Sequence, residues 1–163
     1  MSLTKDDLEL RTLSGIFYQD PMALKPARDE DEHEERIDHE FSMFVFEFDP
    51  NVGLFLARCE DEFGKSGITG RILNNGVRVN EEFPFLHSEG YNLGFVKSYP
   101  NTHPNRPIDP DCIEHLPEIF FRRYFYAGDI EKSNGALTLN NGRYASYGFN
   151  WRKGGYWEVK SIV

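Results

Sequence analysis

Hydrophobic and polar residues alternate with a period of two along most of this chain. The alternating segments are rich in aromatics and fall at residues 10–18, 40–48, 53–59, 66–73, 93–99, 119–130, 143–151 and 156–163. Turn chemistry separates them, as in Asp49-Pro50-Asn51-Val52-Gly53, Asn74-Asn75-Gly76, Ser133-Asn134-Gly135, Asn140-Asn141-Gly142 and Lys153-Gly154-Gly155. Successive side chains of a strand point to opposite faces, so this pattern predicts antiparallel strands joined by hairpins. Eight to ten strands in sequential order predict an all-β fold, an up-and-down β-barrel. Such a barrel encloses a lumen, which either receives a ligand or is filled by the chain's own side chains.

The same pattern assigns faces. In the segment 40–48, Phe44, Phe46 and Phe48 share one side, while Phe41, Met43 and Val45 share the other; a strand apolar on both sides is expected to be central and covered twice. In the segment 143–151, Ala145, Tyr147, Phe149 and Trp151 fall together. Thr4 can cap a short N-terminal helix with Asp6 and Asp7 in its first turn. Residues 19–39 are predicted to form an acidic surface loop, residues 77–79 a short strand, and residues 80–92 an irregular stretch. Residues 100–117 hold five of the nine prolines and are expected to be a loop with little pairing. Residues 1–163 are read as a single barrel domain.

Charge changes the picture in one place. The chain has a formal charge of −9. Residues 29–40 carry eight acids and one base, or −7, which leaves −2 for the other 151 residues. Concentrated negative charge repels phosphate backbones and argues against nucleic-acid binding, but it can steer a basic protein partner. No stretch reaches 18 apolar residues, and the first residues lack the apolar core of a secretory signal, so the expected setting is cytoplasmic with no membrane partner. Cys59 and Cys112 are too few for a disulfide framework and are expected to be free thiols.

Several short pieces resemble the calycin superfamily of eight-stranded barrels, which includes lipocalins and avidins. They are Gly15-Ile16-Phe17-Tyr18, then Glu60-Asp61-Glu62-Phe63-Gly64 leading into Gly67-Ile68-Thr69-Gly70, and Phe95-Val96-Lys97-Ser98-Tyr99. Tyr126-Ala127-Gly128-Asp129-Ile130 and Gly148-Phe149-Asn150-Trp151 before Gly154-Gly155-Tyr156-Trp157 complete the series. Phe17 stands where lipocalins carry a tryptophan, and avidin's biotin-binding set has no counterpart here. The resemblance implies a barrel that holds a small, partly apolar molecule.

Candidate chemistry follows from that architecture. Phe44, Phe46, Arg123, Tyr126, Tyr147 and Trp151 are the expected lumen contacts: rings supply apolar area, while an arginine and tyrosine hydroxyls orient a polar end. The runner-up reading is an interaction module with a filled interior, docking a basic partner through Asp29, Glu30, Asp31, Glu32, Glu34 and Glu35. His33 and His39 lie in the acidic run without zinc-motif spacing, so no metal site is expected. Cys112 and His115 could form a nucleophilic pair only on a helical turn, which the nearby prolines oppose. No cofactor motif is present. A barrel isomerase or lyase is a third reading, for which the sequence places no acid–base pair.

Overall fold

The computed structural model describes residues 2–19, 36–73, 91–100, 121–146 and 154–163. They form one helical turn and eight strands: α1 (Lys5–Leu8), β1 (Thr12–Gln19), β2 (His39–Asp49), β3 (Leu54–Asp61), β4 (Gly64–Ile72), β5 (Leu93–Pro100), β6 (Phe121–Ser133), β7 (Ala136–Ser146) and β8 (Gly155–Ile162). Each strand pairs antiparallel with its neighbour in sequence, and β1 pairs with β8, so the sheet closes as an up-and-down barrel. The expected helix is there too. The Asp7 carboxylate accepts from the Thr4 backbone N–H at 2.7 Å and from its hydroxyl at 3.0 Å. No described helix is long and apolar enough to cross a membrane.

Turn chemistry explains two of the hairpins. Asn134 and Gly135 both take positive φ between Ser133 and Ala136, the geometry that a two-residue hairpin loop needs. At the β2–β3 corner, the Asp49 carboxylate accepts the Asn51 N–H at 2.9 Å, and Gly53 sits at φ 73 against the Ile72 carbonyl. Asn140-Asn141-Gly142 does not turn the chain. It lies inside β7 as a bulge opposite Gly128, with Asn141 at φ 55. Trp157 uses this space: its Nε1 donates to the Ala127 carbonyl at 2.9 Å and to the Arg143 carbonyl at 3.1 Å.

The buried face lines the lumen, and its two ends differ. At the end where β1 begins, Leu3, Leu8, Leu13, Phe48, Ile72, Leu93 and Ile130 are buried apolar residues. The Glu9 carboxylate there accepts the Phe48 N–H at 3.0 Å, and the Asn92 amide bonds both backbone groups of Ile130 at 2.7 and 2.8 Å. At mid-height, Phe55, Phe95, Tyr126, Tyr144 and Trp157 pack ring on ring; Phe95 stacks on Tyr126 at 4.7 Å, and Tyr126 on Tyr144 at 5.2 Å. The opposite end is where polar groups enter the lumen.

Candidate functional site

Asp61 ends β3 and begins the turn into β4. Its Oδ1 accepts the Phe63 N–H at 2.9 Å, which holds the side chain at the mouth of the barrel. Its Oδ2 meets two donors from β5: the Lys97 ammonium at 2.5 Å and the Tyr99 hydroxyl. The Asp61 side chain is 0% exposed and that of Lys97 3%, so this is a charge pair enclosed by the wall. β5 delivers these groups because Leu93, Phe95, Lys97 and Tyr99 alternate onto the buried face. The Lys97 ammonium also lies over three rings, at 4.8 Å from Phe17, 4.8 Å from Tyr99 and 5.6 Å from Tyr126. A cation over ring faces gains from their quadrupoles, most strongly where water is excluded.

The surroundings suppress ionisation of the other acids. Burial, reinforced by the hydrogen bond to Asp61, pushes the Tyr99 hydroxyl far above the ordinary phenol range. Burial, then the neighbouring Tyr144, does the same to Tyr126, and burial followed by Tyr124 does it to Tyr144. These hydroxyls are therefore neutral donors or acceptors at physiological pH. Burial also raises the Cys59 thiol, with Lys97 partly offsetting it, which makes this free cysteine a poor nucleophile. Above the ion pair, His39 packs on Phe17 at 5.1 Å, and Phe63 packs on His39 at 5.1 Å and on Phe17 at 6.2 Å. Phe63 remains 53% exposed.

Of the expected lumen contacts, the structure brings Tyr126 inward, 6% exposed. Phe44 and Phe46 need correction: both lie on the outer wall, Phe44 at 39% exposure and Phe46 beneath the Arg58 guanidinium at 4.9 Å. The cause is a bulge between Val45 and Glu47, which switches the inward parity so that Met43, Val45 and Phe48 point in. It also leaves the outer face of β2 partly exposed at Phe44, where a twofold cover was expected. Arg123 is a second correction. It pairs with Ser98 on the outward register, while Tyr124 and Tyr126 pair with the inward Lys97 and Phe95. Tyr147 and Trp151 lie outside the described residues, as do Asp29, Glu30, Asp31, Glu32, Glu34, Glu35, Cys112, His115 and the short strand expected at 77–79.

Sequence reasoning missed Lys97, Asp61, Tyr99, Tyr144 and Trp157. The signal was present: Lys97 is a lone charge on an otherwise apolar register between Phe95 and Tyr99. Two open grooves, of about 940 and 410 Å³, follow the outer seam where β7 and β8 part, and neither Asp61, Lys97 nor Tyr99 lines them. Groups of three or more metal-ligating side chains are absent among the described residues. Comparison with protein-family models, curated proteins and solved structures finds no match to this chain.

Proposed function

We propose that this chain is a calycin-type barrel that holds a small, partly apolar molecule at the polar end of its lumen, in an intracellular setting where Cys59 stays reduced. The observation that carries this reading is the enclosed Asp61–Lys97–Tyr99 cluster. Desolvating two charges costs several kcal/mol per ion, and apolar side chains of similar volume often serve stability as well or better. The apolar end of the same lumen illustrates that alternative. Polar groups at the mouth thus support recognition rather than folding. Phe17, Tyr126 and Tyr144 offer flat apolar area, and the ammonium and phenols offer directional contacts.

Native mass spectrometry of the purified chain tests this directly. The wild type is expected to retain a small guest, and a folded Asp61→Leu/Lys97→Met double variant to lose it. Retention of the same guest by the double variant would remove the site assigned here. A second reading rests on the stacked Phe95–Tyr126–Tyr144 column, which fills the middle of the lumen. On that reading the barrel is an interaction module with a packed interior, and its acidic run docks a basic protein. A guest-free wild type that captures a basic partner, and stops doing so when residues 29–35 are neutralised, would favour it.

A further inference from the structure

We propose that Lys97 forms a reversible covalent imine with a neutral, apolar carbonyl compound, and that Asp61 serves as the buried counter-ion and proton carrier. This rests on the lumen-end reading above and names the chemical class that the site takes.

The first step is electrostatic. Asp61 and Lys97 neutralise each other at 2.5 Å with almost no solvent contact. An anionic ligand would compete for Lys97 but face the Asp61 carboxylate, and a cationic ligand would meet the ammonium. Either brings an uncompensated charge into a dry site. A neutral guest brings none. The Lys97 ammonium has three N–H donors; the Asp61 carboxylate takes one, and the Cys59 sulfur, a weak acceptor, takes another. A carbonyl oxygen supplies the acceptor that the ring faces of Phe17 and Tyr126 can only approximate.

The second step is chemical. A lysine amine held in apolar surroundings is a recurrent nucleophile toward carbonyl carbon. Nζ attacks the carbonyl carbon after giving one proton to Asp61 Oδ2. A C–N bond forms, the carbonyl C–O bond breaks, and the oxygen leaves as water with two protons that began on Nζ. The product is a protonated imine. Ammonium plus aldehyde gives iminium plus water, so the net charge of the site is unchanged and Asp61 keeps its partner. Neither oxidant nor reductant is required. The same rings that face the ammonium face the iminium, which is the more delocalised cation.

The third step is access. The hairpin that carries Asp61 also carries Phe63, whose half-exposed ring covers His39 and Phe17. Moving that ring opens the route to Nζ.

The probe is 3-phenylpropanal, with 3-phenylpropan-1-ol as its non-condensing partner. The folded full chain is incubated with the aldehyde and sodium cyanoborohydride, and the reduced adduct is mapped by peptide mass spectrometry. The expected result is one adduct per chain, at Lys97, with the preference lost in urea. Asp61→Asn should slow labelling at Lys97 at least about a hundredfold, the lower end of the range for loss of a positioned proton carrier. Phe63→Ala should speed it several-fold, and Lys97→Arg, which keeps the charge but has no amine to condense, should abolish it; binding of the alcohol to the wild-type chain, read by thermal shift, is the non-covalent reference. Labelling spread over surface lysines with Lys97 unmodified, while the alcohol still binds, overturns the covalent step and leaves the lumen reading standing. If neither alcohol nor aldehyde binds the folded barrel, both fall together.

Discussion

The two ends of the lumen are built from the same strands and answer different demands. At the β1 start, Leu13, Phe48, Ile72 and Ile130 meet as apolar surfaces, and the polar groups there are backbone amides satisfied by Glu9 and Asn92. At the other end, the same alternation places a carboxylate, an ammonium and tyrosine hydroxyls in enclosed space. Burial stabilises the first arrangement at about 25 cal/mol per Å² of apolar surface. It penalises the second unless each charge is paired, so that end is only as stable as its hydrogen bonds. One end gains from burial outright, and the other must keep its charges paired to stay buried.

The contrast is broken most strongly by removing one charge. Lys97→Met or Asp61→Leu alone is expected to cost about 3–5 kcal/mol in denaturant unfolding, because the remaining charge stays buried without its partner. The double variant should recover most of that loss. If the two single losses simply add, the cluster is a stabilising element and the contrast fails. At the apolar end, Phe48→Ala should cost a similar ~3–5 kcal/mol through lost burial and a cavity, yet leave guest retention by the folded fraction unchanged.

Closure comes next in size. A methyl group at Gly15 would overlap the Glu158 carbonyl oxygen across the β1–β8 seam, where the register shifts by a bulge. Gly15→Ala should therefore cost about 1–3 kcal/mol and loosen both ends together, seen as faster amide exchange in β1 and β8.

Titration separates the ends more finely. The folded-state pKa values of Tyr99, Tyr126 and Tyr144 lie above the ordinary 10, so the folded chain holds protons that the unfolded chain releases. Stability from these groups is complete below about pH 10 and is lost as pH rises beyond it. Absorbance at 295 nm should show them ionising only as the barrel unfolds, and Tyr126→Phe should lessen the alkaline loss.

The smallest effect is at the helix. Burial alone would raise Asp7, but hydrogen bonds from Lys132 and Thr4 outweigh it and hold the carboxyl below 3.8. Its contribution is present above that value and fades as pH falls through the lowered one, so Asp7→Asn should flatten the acid limb of a stability profile without altering guest retention.

Sequence periodicity made the fold class, the sequential strand order and most strand positions legible, because pairing demands alternation. It failed at inward parity. One inserted residue near Phe46 exchanges the two faces of β2, and no local composition marks that bulge. Asn140-Asn141-Gly142 looked like a hairpin turn because its left-handed preference suits a bulge equally well. The polar cluster was hidden for another reason. Asp61 and Lys97 meet across the β3, β4 and β5 wall, and their pairing exists only once the register is set. Arg123 drew attention as a base among aromatics, although its partner Ser98 stands on the outward side.

The seam between β1 and β8 joins Tyr18 to Glu158, positions 140 residues apart. Loop closure of that length comes late in folding, after local hairpins have formed. On a ribosome, the wall stays an open, curling sheet with two uncovered margins, β1 and β7, until β8 emerges. During that interval Lys97 and Asp61 face water rather than an enclosed interior. Removing this ion pair from water is thus deferred until the last strand docks.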